Sequence, residues 1–166
     1  MIILAQILGL LSAGCGILAA QMKKKWQILV VLTVANLLAG LNFLFLGQVN
    51  GAFVCGVGIA QTVLVCYQDV KGKASKPWEM ALFTVLYIAC GVVQYRTAMD
   101  LMPTGAALLG MCGVFQKKEQ NIRKFSLMNA LVWVAYDVLV GSSLVVTHAI
   151  GAVSNVAALY RFRGEK

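Results

Sequence analysis

Charge is scarce in this chain. Only 12% of its 166 residues are charged, and six of them are acids. A soluble domain carries about 25% charged residues, so this composition argues against a water-facing surface. There is one histidine, and the five cysteines (15, 55, 66, 90 and 112) form no Cys-x-x-Cys pair. That leaves no donor set for a metal, and the thiols read as small hydrophobes. No Gly-rich phosphate loop and no Ser/His/Asp arrangement stands out. The polar loops are too short for a soluble catalytic domain. An enzyme is therefore not expected, nor is a cofactor. The N-terminal apolar stretch has no basic residues before it, so residues 2–20 are expected to be a retained helix rather than a signal peptide.

What is present is apolar. Hydrophobic residues make up 60% of the chain, and the mean hydropathy is +0.82. A helix needs about 17–25 apolar residues to cross a bilayer. Seven segments qualify or come close: 2–20, 27–46, 51–67, 78–95, 100–115, 125–141 and 143–161.

The Lys and Arg residues sort between these segments. Lys23, Lys24 and Lys25 follow the first, and Lys71, Lys73 and Lys76 the third. Lys117, Lys118, Arg123 and Lys124 follow the fifth, and Arg161, Arg163 and Lys166 the seventh. Of the fourteen basic residues, Arg96 alone falls elsewhere. With seven helices, all the others lie on one face of the membrane. The positive-inside rule makes that face cytoplasmic, so the N-terminus is outside and the C-terminus inside. Trp26 and Trp78 mark cytoplasmic helix ends. A net charge of +8 would otherwise suggest nucleic acid, but short loops on one membrane face account for it. The partners expected are the lipid bilayer and a small polar solute, with no nucleic acid. A homo-oligomer is left open.

An offset of 94 residues superimposes the first three segments on the last three. Gly16 then meets Gly110, Lys23 and Lys24 meet Lys117 and Lys118, and Leu37 meets Leu131. Gly47 meets Gly141, and Gln61 meets Asn155. Identities are few. The shared plan is helix, basic loop, helix, tight Gly turn, helix, basic end. The expected fold is an all-α membrane protein of seven transmembrane helices. Residues 1–70 and 99–166 would be three-helix repeats, and residues 71–98 a linker helix. An odd number of helices inverts the next unit and the linker restores it. The repeats are then parallel about an axis along the membrane normal.

Intramembrane polar groups are costly and are functional candidates by default. Segment 6 carries Ser126, Asn129, Trp133, Tyr136 and Asp137 on one helical face. Segment 7 carries His148 and Asn155, with Gly151 between them. Asn36, Gly40 and Phe43 line segment 2, and Gly58 and Gln61 line segment 3. In the functional reading, Asn36, Gln61, Asn129 and Asn155 hydrogen-bond a small polar solute, and Trp133 and Tyr136 enclose it. The structural reading has the carboxamides bridging helices, at about 0.6 kcal/mol each. Asp137 and His148 are candidates for proton coupling or gating, or for a hydrated structural pair near the outer helix ends. Glu79 and Asp100 stand at helix starts, as caps do.

Three features together resemble the YgjV-like bacterial inner membrane proteins. They are Leu101-Met102-Pro103, the Trp133 helix with its Gly141-Ser142 turn, and the ending from Asn155 to Phe162. The resemblance implies a multi-pass protein of the bacterial inner membrane. It also implies a fold related to the SWEET sugar facilitators and the PnuC-type vitamin transporters. By that likeness Asn155 matches a site Asn on helix 7, and Trp133 stands nearest a site Trp on helix 6. SWEET proteins use hinge prolines, whereas this chain has only Pro77 and Pro103. Bending is then expected at glycines such as Gly56 and Gly58. The implied function is a facilitator for a metabolite such as a sugar or vitamin, working by alternating access. The alternative is a receptor or accessory protein of the same fold, because architecture does not dictate function.

Overall fold

The computed structural model describes residues 2–141 and 145–164. Seven α-helices run in order: α1 (Ile2–Gln21), α2 (Lys25–Phe45), α3 (Val49–Val70), α4 (Pro77–Gln94), α5 (Leu101–Val114), α6 (Glu119–Val140) and α7 (Val145–Arg161). A 3-10 turn, Ala98–Asp100, leads into α5. No strand occurs among the described residues.

Four helices, α1 to α4, are each long and apolar enough to cross a membrane. The others fall short for separate reasons. The 14 residues of α5 reach about 21 Å at 1.5 Å per residue, less than the hydrocarbon thickness. Helix α6 carries Glu119, Arg123, Lys124 and Asp137. The 17 residues of α7 reach about 25 Å.

Local chemistry sets the helix ends. Pro77 opens α4, where its missing N–H costs nothing. The Glu79 carboxylate accepts the Lys76 amide at 2.8 Å. Asp100 accepts the amides of Thr97 at 2.7 Å and Arg96 at 2.9 Å. Helices α2 and α6 both stop at a glycine in the left-handed region, Gly47 at φ 73° and Gly141 at φ 68°. The Gln48 amide then reaches back to the Phe43 carbonyl at 2.8 Å, as in a Schellman ending.

One boundary differs from the hydropathy reading. Helix α6 starts at residue 119 rather than 125, so Arg123 and Lys124 belong to the helix and not to a loop. Arg123 is 2% exposed. Its Nε donates to the Ala20 carbonyl at 3.1 Å and its Nη2 to that of Met22 at 2.6 Å. Its guanidinium lies 4.4 Å from the Phe162 ring centroid. Polar partners at the end of α1 let a cation sit inside the bundle.

Helix packing closes a ring: α1 on α2, α2 on α3, α5 on α6, α6 on α7 and α7 on α1, with a lighter contact of α3 on α5. Helix α4 packs against both α3 and α5 and is the main link between them. Contacts recur at positions 94 apart. Ser12 on α1 donates to the Ala35 carbonyl on α2 at 2.8 Å. Asn129 on α6 donates to the Ala106 carbonyl on α5 at 2.6 Å. The position pairs correspond, but the donor has changed helix. The carbonyls of Ile17 and Met111 also correspond, accepting from Ser154 at 3.3 Å and from Gln61 at 3.1 Å. Ile28 and Ile122, themselves 94 apart, share a buried cluster with Ala19. The Lys25 amide donates to Glu119, again 94 residues on, at 3.3 Å.

Candidate functional site

A polar and aromatic grouping forms where α6 and α7 pack near the Gly141 turn. Trp133, Tyr136 and Asp137 share a face of α6, as spacings of 3 and 4 require. His148 faces them from the first turn of α7. Its Nδ1 lies 2.5 Å from Asp137 Oδ2. The Asp137 side chain is 3% exposed and the His148 side chain 32%. The imidazole stacks on Trp133, with centroids 5.4 Å apart and planes 19° apart. Trp133 meets Tyr136 edge-on at 5.8 Å and 85°. The ring stack and the carboxylate together fix the imidazole's orientation.

Seven residues further along α7, about 10 Å at 1.5 Å per residue, lies Asn155, 6% exposed. Its Nδ2 donates to the Gly151 carbonyl of its own helix at 2.9 Å. Its Oδ1 is buried with no hydrogen-bond partner. An unsatisfied buried acceptor costs about 1–3 kcal/mol. Asn155 is the only side chain so placed among the described residues.

The other carboxamides lie elsewhere. Gln61, 1% exposed, donates to Met111 O at 3.1 Å and accepts from Tyr87 OH at 3.1 Å. It thereby joins α3 to α5 and α4. Asn129 is tied to α5 through Ala106. Asn36 is half-buried on α2 and lies against Gly58 of α3. A Cβ at Gly58 would stand 3.1 Å from its carboxamide, so glycine makes room there. A surface depression of about 430 Å³ is lined by Val145, Val146, Ala149, Ile150 and Val153. These side chains are all aliphatic and suit lipid tails rather than a polar solute.

A family model described as a bacterial inner membrane protein, Imp-YgjV, matches residues 3–166. The chain belongs to the YgjV family. It is thus a protein of the bacterial inner membrane, and its apolar helices fit a multi-pass arrangement. No curated protein and no solved structure matched it.

Within this YgjV-family chain, the structure brings Trp133, Tyr136, Asp137 and His148 into one cluster and leaves Asn36, Gln61, Asn129 and Asn155 apart from it. Tyr87 completes the Gln61 bridge, and a lone hydroxyl on α4 is its only signal in the sequence. A second bridge is the hydroxyl pair Thr33–Thr62, 2.9 Å apart between α2 and α3. A third is Asn42, whose Nδ2 donates to the Ala5 carbonyl at 2.5 Å. Each joins neighbouring helices, as small polar groups do in membranes.

Proposed function

We propose that this protein carries a small polar solute across the inner membrane, moving one three-helix half against the other around a central site. The halves are residues 1–70 and 99–166, joined by the linker of residues 71–98. The arrangement is SWEET-like in plan, with the N-terminus outside and the C-terminus in the cytoplasm. One observation carries the reading: contacts recur at an offset of 94. The pairs Ser12–Ala35 and Ala106–Asn129 repeat within the halves. Lys25 and Glu119 meet between them, as residues beside a two-fold axis do. Repeat-built carriers place their sites where two such halves meet.

In this reading the solute takes its first polar contact from Asn155, and movement of the halves brings Asn36, Trp133 and Tyr136 to it. The Asn155 Oδ1 is an acceptor awaiting a donor, which suits a hydroxyl or N–H on the solute. Gln61 and Asn129 hold the helices that shape the site. The reading assigns no catalytic step.

Counterflow into proteoliposomes tests it. Purified protein is reconstituted and offered labelled sugars, vitamins and nucleosides in turn. The expected result is exchange of one class above protein-free liposomes. Saturable binding of a solute that never exchanges would instead favour a receptor. A panel with neither binding nor exchange counts against a small-solute site.

A further inference from the structure

We infer that Asp137 and His148 form a one-proton site whose occupancy locks or releases α6 against α7. The inference rests on the carrier reading for its use in transport, but not for the site itself. The geometry is specific. A buried carboxylate lies 2.5 Å from the chain's single histidine ring, and Trp133 holds that ring from one face. With one proton between them the pair is neutral overall, whichever atom the proton rests on. Without it the carboxylate is a net negative charge, almost fully buried inside a membrane protein. A buried charge without its partner is strongly unfavourable. Loss of the proton therefore favours water entry or separation of the two helices. The proton enters through the imidazole, the more exposed partner.

The surroundings supply little competing charge. Helices α1 and α5 pack on α7 and α6, and their only ionisable residues are Cys15 and Cys112. On α6 itself Tyr136 faces the pair through Trp133. Glu119, Arg123 and Lys124 are at the far end of α6, and Tyr160 and Arg161 at the far end of α7. Before α5, Asp100 is occupied with the amides of Arg96 and Thr97. The first half has no such pair. The positions 94 residues earlier hold Phe43 and Val54, and Phe43 packs on Gly51. The proton site therefore belongs to one half only.

Because His148 is the only histidine, selective ¹⁵N labelling of histidine reports this site alone. The full chain in lipid nanodiscs is titrated, following the ring nitrogens by NMR and Trp133 by fluorescence. Trp26→Phe and Trp78→Phe are included so that Trp133 is the only indole. The expected result is that ring signals and fluorescence change together over one pH interval. Asp137→Asn should displace that interval, and His148→Gln should abolish the fluorescence step. Identical intervals with and without the Asp137 carboxylate would overturn the site, as would a fluorescence step that survives His148→Gln. Counterflow is scored separately. A shared titration in a protein that exchanges no solute keeps the proton site and rejects the carrier.

Discussion

The backbone amide of Lys25 donates to the carboxylate of Glu119, the residue 94 positions further on, at 3.3 Å. In the carrier reading, this meeting of residues 94 positions apart is where the two proposed halves face each other. Ile28 and Ile122, one turn deeper, share a buried cluster there. Cysteines at 28 and 122, in a background with the five native cysteines replaced by alanine, should cross-link within one chain with a short bis-maleimide. A gel shift to the compact monomer is expected. No intramolecular product would mean that α2 and α6 do not meet there.

Gly47 and Gly141 end α2 and α6 with φ near +70°. An L-residue pays roughly 1–2 kcal/mol in that region. Gly47→Ala and Gly141→Ala should each lower the thermal midpoint, by similar amounts. An unchanged midpoint for either would show that its turn relaxes without strain.

Arg123 bridges α6 to the carbonyls of Ala20 and Met22 and stacks on Phe162. Arg123→Gln should cost about 2–3 kcal/mol, the scale of lost charged hydrogen bonds. Arg123→Lys should recover little of it, because a point charge cannot reproduce the planar fork and stack. Denaturant unfolding in detergent measures both. Full rescue by lysine would reduce the residue's role to its charge.

Asp100 titrates below the ordinary carboxylate range because it accepts the Thr97 and Arg96 amides. A folded-state pKa held down contributes order above the unfolded value and loses it as pH falls through the folded one. Amide exchange at Arg96 and Thr97 should therefore accelerate at acid pH beyond the intrinsic trend. Asp100→Asn should remove that excess. Equal profiles in the two proteins would show that the carboxylate does not hold the turn.

Hydropathy and charge alone made the number and order of the helices legible, because lipid demands long apolar runs and the basic loops alternate. The tight turn at Gly47 and the cap at Asp100 were legible for the same local reasons. The start of α6 was not. Arg123 reads as a loop charge until Ala20 and Met22 are seen beside it. The carboxamides illustrate the wider limit. Asn129 and Asn155 look alike on a helical wheel, yet one finds the Ala106 carbonyl and the other leaves Oδ1 unpaired. That difference depends on the facing helix, which spacing does not encode. Asp137 and His148 read as a candidate pair from the sequence, and the α6–α7 packing supplies the contact itself, at 2.5 Å.

Solute binding to Asn155→Ala tests the central claim most directly. Isothermal titration compares it with the unaltered protein, using whichever solute counterflow identifies, and a thermal melt confirms folding. Removing a hydrogen bond to a buried solute should weaken binding by roughly tenfold or more, about 1.5 kcal/mol, with the melt little changed. Equal affinity in the two proteins would contradict the account and move the site away from α7.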